Sequence, residues 1–143
     1  MPTLERTVTV AKPLELVWEF LTDFTTTEHW DPPTVSTDRV TGDGGPGTVY
    51  RNVSKILGRE VEIQYTVLDK EPMSLFRLNG ETSSMQMVDT MTFEQTAEGT
   101  RVTYHVDFDP QGAAKLAEPL MPLGLKKLGD DAAGRMHEVL ERL

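Results

Sequence analysis

Apolar and polar positions alternate from residue 3 to 11, with Val8 and Val10 in phase, which is the period of a half-buried strand. At Pro13 the period changes. Leu14, Val17, Trp18 and Leu21 recur at helical spacing, and a proline in the first turn suits a helix start. Asp23 closes that helix. Thr25 with Glu28 three positions later forms a capping-box pattern for a second short helix, which runs to about Trp30 and is stopped by Asp31, Pro32 and Pro33. A strand through Val40 follows, then a turn-rich run from Gly42 to Gly47. From there to Pro110 the chain reads almost wholly as strands.

The hairpins are fixed by requiring that both strands put their apolar residues on one face. A two-residue turn at Gly58 and Arg59 sets Ile56 opposite Val61, Ser54 opposite Ile63, Asn52 opposite Tyr65 and Tyr50 opposite Val67, with Lys55 and Glu62 outside. A turn at Glu98 and Gly99 sets Phe93 opposite Tyr104, Met91 opposite Val106 and Asp89 opposite Phe108, with Thr92 and His105 on the other face. Between these hairpins Phe76 and Leu78 oppose Met87 and Met85. After Pro110 a broad helical stripe begins: Leu116, Leu120, Leu123, Leu128, Ala132, Met136, Val139, Leu140 and Leu143. Pro119, Pro122 and Gly124 weaken the start of this long helix, which makes Leu116 to Gly124 a candidate gate. No repeat or linker divides residues 1–143. The expectation is a single α+β domain: one antiparallel sheet of about seven strands, two short helices after the first strand, and a long C-terminal helix on the same face.

Several of these residues also carry a resemblance. Val10, Ala11 and Pro13 leading into Val17, Trp18, Leu21 and Asp23, then Trp30 and Pro32, Gly47, and Gly99, Thr100 and Val102 before the final helix, resemble the START-like (SRPBCC, Bet v 1-like) superfamily with its polyketide cyclase/dehydrase family. The resemblance spans nearly the whole chain. It implies a helix-grip fold, in which a curved sheet wraps the C-terminal helix around a cavity for lipids, polyketides or other apolar compounds. It implies no shared catalytic residue, and fold alone does not assign a reaction.

Composition narrows the partners. With 14 basic and 23 acidic residues the formal charge is −9, which disfavours nucleic acid and anionic membranes. The chain has no cysteine, which removes thiolate chemistry, disulfides and cysteine-based zinc sites. No apolar stretch is long enough to insert in a membrane, and the N-terminal segment has no basic and apolar leader pattern, so a cytoplasmic location is expected. His29, His105 and His137 form no metal-ligand pair. The GDGGPG run lacks the lysine of a phosphate loop and precedes a strand, and no G-x-S-x-G elbow occurs. Neither metal nor cofactor is expected.

The remaining signal is polar chemistry on a face that should be apolar. Tyr50, Asn52, Ser54, Tyr65, Asp89 and Tyr104 all fall on the inner phase, where an unpartnered polar group costs roughly 1–3 kcal/mol and a carboxylate more. A closed internal network would satisfy them, and so would a polar-lined pocket. On the pocket reading the ligand-binding set is Tyr50, Asn52, Ser54, Tyr65, Phe76, Met87, Asp89, Met91, Tyr104, Leu120, Leu123 and Leu128, with Met85 also on the methionine-rich stripe. Trp18 and Trp30 read as anchors of helix on sheet. Three functions fit: binding of a small apolar ligand, a cyclase or dehydratase using Asp89 as acid and base with Tyr65 or Tyr104 as hydrogen-bond donor, and an interaction module with a filled interior. Asp89 is expected to have a raised pKa.

Overall fold

The computed structural model describes residues 2–143. Strand β1 (Thr3–Val10) leads into helix α1 (Leu14–Thr22), a single 3₁₀ turn (Phe24–Thr26) and the short helix α2 (Thr27–Trp30). Six strands follow: β2 (Thr34–Thr41), β3 (Val49–Ile56), β4 (Arg59–Glu71), β5 (Leu75–Glu81), β6 (Met85–Thr96) and β7 (Gly99–Pro110). A 3₁₀ stretch (Gly112–Leu120) then enters α3 (Met121–Glu141). The seven strands form one antiparallel sheet in the order β1-β7-β6-β5-β4-β3-β2, so every neighbour is a hairpin partner except the β1–β7 closure. This is the expected α+β helix-grip layout.

The inner face is the expected one, because Tyr50, Asn52, Ser54, Ile63 and Tyr65 are all buried while Arg51 is exposed. The registers themselves are shifted by an even number of residues. In the first hairpin the turn is Leu57–Gly58, both at positive φ (52° and 80°), and Ser54 faces Val61, Asn52 faces Ile63 and Tyr50 faces Tyr65. A type I′ turn needs positive φ at both central positions, and glycine serves there where Arg59 would be strained. In the β6–β7 hairpin the turn is Ala97–Glu98, and Phe93 faces Val102, Met91 faces Tyr104 and Asp89 faces Val106. Gly99 is needed for closeness instead of for the turn: a Cβ there would lie 2.2 Å from the Val10 carbonyl oxygen. Between β5 and β6 the slip is larger, so that Phe76 faces Met91 and Leu78 faces Asp89, closed by a tight turn in which Thr82 N–H donates to the Met85 carbonyl. An even slip keeps each side chain on its face, which is why the burial survives.

Helices α1 and α2 depart locally from the expectation. Asp23, and not Thr25, caps the turn, its carboxylate accepting from the Thr25 backbone N–H at 3.2 Å. Glu28 reaches across to accept from the Thr37 N–H of β2 at 2.8 Å, so the capping box does not form. The C-terminal stripe is buried only from Leu125 onward: Leu125, Ala132, Met136 and Leu140 are buried, whereas Leu116, Leu120 and Leu123 are 86%, 67% and 79% exposed. Pro119 and the 3₁₀ geometry of Gly112–Leu120 turn Leu116 and Leu120 away from the sheet, and Leu123, already in α3, falls off the helix face that buries Leu125, Gly129 and Ala132. Helix α3 presses on β1 at Gly129, where a Cβ would come 2.3 Å from a Leu4 methyl, and Arg6 ties the two through Asp130 (2.9 Å) and the Lys126 carbonyl (3.1 Å). Its far end is held by Lys12 Nζ donating to the Leu143 carbonyl. Among the described residues no helix is long and apolar enough to cross a membrane.

Candidate ligand cavity

One end of the sheet is plugged. Val17, Trp18, Leu21 and Phe24 descend from α1 and the 3₁₀ turn onto the inner face, with Trp18 edge-on to Phe93 at 4.9 Å and Phe24 edge-on to Tyr65 at 4.8 Å. Phe76 and Met91, both 0% exposed, belong to this packed region and do not line the cavity. Tyr50 is likewise core, its ring tilted against Phe24 at 5.7 Å, and borders instead a solvent-open cleft of about 520 Å³ among Glu19, Asp23, Arg39, Asp43 and Lys70. That cleft is larger than the interior cavity, but Glu19, Asp23, Arg39 and Asp43 are exposed, Lys70 is half-buried, and none of the five is among the described groups with a buried, unpartnered polar atom.

At the opposite end lies a cavity of about 100 Å³. Its floor is the inner face of the sheet, through Ser54, Ile63, Tyr65, Met87, Asp89, Tyr104, Val106 and Phe108; Leu4 and Ile56 flank it. Leu128 and Ala132 of α3 form its roof, and Asp31 and Pro33 its side wall. Of the residues expected to bind ligand, it thus gathers Ser54, Tyr65, Met87, Asp89, Tyr104 and Leu128. Leu120 and Leu123 point to solvent, for the reason given above. Met85 is half-buried nearby but does not line it.

Asn52 has a closed network. Ser54 Oγ donates to Asn52 Oδ1 at 2.7 Å, and the Asn52 amide donates to Thr37 Oγ1 (2.8 Å) and Thr34 Oγ1 (3.1 Å). The Thr27 hydroxyl is committed to the Phe24 carbonyl, so Thr37 donates to Thr27 at 2.7 Å. Thr34 passes its own proton to Asp31 Oδ2 at 2.6 Å, carrying the chain to the cavity wall. Internal satisfaction therefore accounts for Asn52, whereas Asp89 lies outside this network.

Asp89 is 2% exposed. Tyr104 donates its hydroxyl to Asp89 Oδ2 at 2.6 Å, while Asp89 Oδ1 is buried without a hydrogen-bond partner among the described residues. Lost hydration pushes the Asp89 carboxyl up to about 7; the Tyr104 bond pulls against this and the negative charge of Asp31 adds to it. Asp31 keeps part of its surface accessible, yet protein crowds its carboxyl, and desolvation lifts it to about 6 against the Thr34 bond and the attraction of Arg135. Burial, then the nearby Asp89 charge, raises both Tyr65 and Tyr104 well above the usual phenol range. Gly80 sets the Tyr65 ring, since a Cβ at that position would lie 2.8 Å from both the ring and Met87 Cγ. The Tyr65 hydroxyl meets only the Met87 sulfur, at 3.6 Å, a weak acceptor. Trp30 stands edge-on to Tyr104 at 5.5 Å with its indole N–H unpartnered, an anchor next to the site.

Asp31 is the one ionisable lining residue absent from the expected set, where it reads as a helix stop; the other lining residues outside that set are the apolar Leu4, Pro33, Ile56, Ile63, Val106, Phe108 and Ala132. A signal was available: a carboxylate at the C-terminal end of a helix opposes the helix dipole, and such local conflicts concentrate at functional sites. The histidines are elsewhere, with His105 on the outer face between Glu5 and Asp107, which raise its pKa. Among the described residues no cluster could hold a metal ion.

Residues 1–141 match the family described as polyketide cyclase / dehydrase and lipid transport. The chain belongs to that family. Among solved structures it is similar to the Zhui aromatase/cyclase from a Streptomyces species (TM-score 0.82, 20% identity, 99% of this chain and 94% of that one). It is also similar to a START superfamily protein from Mycobacterium smegmatis (TM-score 0.73, 16% identity, 96% and 98%) and to Ara h 8.0201 (TM-score 0.66, 16% identity, 94% and 97%). No curated protein matches the sequence. At these identities the structural likenesses establish the helix-grip fold, and the family establishes a broad choice between ligand carriage and cyclase chemistry.

Proposed function

We propose that this member of the family binds a small, largely apolar molecule under α3, with its polar group held by Asp89 and Tyr104. The observation that supports this reading is the Asp89 Oδ1 atom: a buried carboxyl oxygen with no partner, in a cavity otherwise lined mostly by apolar side chains. Leaving such a group unsatisfied is costly, and a bound molecule would remove the cost. The cavity of about 100 Å³ is smaller than the roughly 300–1,000 Å³ of most ligand pockets. A lipid or polyketide would need the roof to lift. Leu128 is only half-buried, and the segment before it, from Gly112 to Leu123, contributes no buried residue, which suits it to act as the gate.

A second reading is a cyclase or dehydratase. A carboxyl titrating near 7 beside a tyrosine hydroxyl has the properties of an acid and base working at neutral pH, with Tyr104 or Tyr65 donating to a developing enolate. The test common to both is to denature protein purified from its native host and identify the released small molecules by mass spectrometry. A carrier releases one apolar species in near-stoichiometric amount. An enzyme releases little but converts such compounds when they are added back. Protein that releases nothing, and whose thermal stability no apolar compound raises, would reject the cavity as a binding site.

A further inference from the structure

We infer that the cavity selects small molecules bearing a protonated amine, held between Asp89 and Asp31 against the rings of Tyr65 and Tyr104. This rests on the cavity being a binding site and adds the chemistry of what enters it. Asp89 Oδ2 is taken by Tyr104, and Oδ1 is buried and bare. Asp31, on the adjoining wall, is held through Oδ2 by Thr34. Tyr65 spends its proton on a thioether and keeps its oxygen lone pairs free, while the unpartnered Trp30 N–H, beside Tyr104, is not among the residues lining the cavity. The site is thus rich in acceptors and aromatic faces. An ammonium group supplies three N–H donors and a full positive charge, and tyrosine rings attract cations placed over them.

The fixed charges around the cavity point the same way. No lysine or arginine is among the residues lining it. From α3, Arg135 is exposed and attracts Asp31 without a close ion pair; from β1, Arg6 is engaged by Asp130 and the Lys126 carbonyl. His105 faces outward between Glu5 and Asp107. A ligand carboxylate would meet two acids and, among the described residues lining the cavity, no cation. A ligand carbonyl would engage Asp89 only in its protonated form and would leave Asp31 unanswered. A cation satisfies both carboxyls at once, and its charge replaces the hydration that burial removed.

The test uses the full chain and three probes of similar shape: 2-phenylethylamine, 2-phenylethanol and phenylacetate, titrated at pH 8 and physiological salt by amide chemical shifts. The expected order is amine at least tenfold tighter than alcohol, with the acid weakest, and with shifts centred on Asp31, Tyr65, Asp89 and Leu128. The preference should shrink as pH falls below about 7, where Asp89 takes up its proton. Asp89→Asn should lose the preference for amine over alcohol while still binding the alcohol; Asp31→Asn should weaken the same preference and serves if the first variant misfolds. Equal binding of amine and alcohol by the natural protein would overturn the inference and leave the cavity reading standing. So would amine shifts scattered over the acidic surface and abolished by salt. If no probe shifts the cavity residues, the binding reading falls, and this inference with it.

Discussion

At the α1 end of the sheet the inward side chains meet a plug: Trp18 against Phe93, and Phe24 against Tyr50, Tyr65 and Phe76. At the other end, where β3 meets β4 and β5 meets β6, the same strands deliver Ser54, Asp89 and Tyr104 to a gap roofed, among the described residues, by Leu128 and Ala132. The sheet does not distinguish the two ends, since one alternation runs through both. The covering elements do. Helix α1 and the 3₁₀ turn bring four large apolar side chains down onto the sheet, whereas α3 packs closely on β1 and reaches the middle strands at the open end through Leu128 and Ala132. A cavity in this fold is therefore a property of what is missing above the sheet.

The largest effect should come from breaking the plug. Phe24 is 2% exposed and touches three aromatic rings, so Phe24→Ala should cost about 3–5 kcal/mol in urea unfolding. Leu128→Ala, at the half-buried roof, should cost under about 1 kcal/mol. Equal costs would mean that the roof is as tightly packed as the plug, and the contrast between the two ends would fail.

The next effect is electrostatic and confined to the open end. A carboxyl whose folded pKa is raised holds its proton longer in the folded state, so its contribution is fully present below pH about 4 and is lost as pH rises through about 7. Asp31 acts in the same direction up to about 6. Asp89→Asn keeps an acceptor for Tyr104 and cannot ionise. The variant should match the natural protein near pH 4 and exceed it progressively toward pH 8, by up to roughly 4 kcal/mol. Stability curves at several pH values decide this. A constant difference across the range would show that Asp89 stays charged and hydrated when folded.

What sequence could and could not deliver follows the same division. The faces of Tyr50, Asn52, Ser54, Tyr65 and Asp89 were legible because strand alternation has period two, and an even register slip preserves it. The slips themselves were not, because Gly58 and Gly99 each fit two turn placements and only the approach of Val10 decides the second. Asn52 could not be separated from Asp89 by phase: whether an inward polar group finds Thr34 and Thr37 or finds nothing depends on a strand eighteen residues away in sequence. Leu120 and Leu123 continue the helical stripe on paper, but Leu120 ends a 3₁₀ stretch containing Pro119 and Leu123 falls off the buried face of α3. Asp31 reaches the cavity only because α2 sets it beside Thr34 at the edge of the open end.

The smallest effect lies at the tip of that open end. Leu57 is 98% exposed and sits at φ 52°, a left-handed conformation that costs a branched side chain about 1 kcal/mol more than asparagine or glycine. Its neighbour Gly58, at φ 80°, already meets the second demand of the type I′ turn. Leu57→Asn gives the turn its preferred Asn-Gly pair and removes no contact with the core, so it should stabilise the protein by about 0.5–1 kcal/mol. Because Ile56, next to the turn, lines the cavity while Leu57 does not, the change should leave probe binding unaltered. Urea unfolding of the variant at two protein concentrations is the measurement. A loss of stability that grows with concentration would show that the exposed leucine is buried between copies of the chain, and that the open end is covered in solution after all.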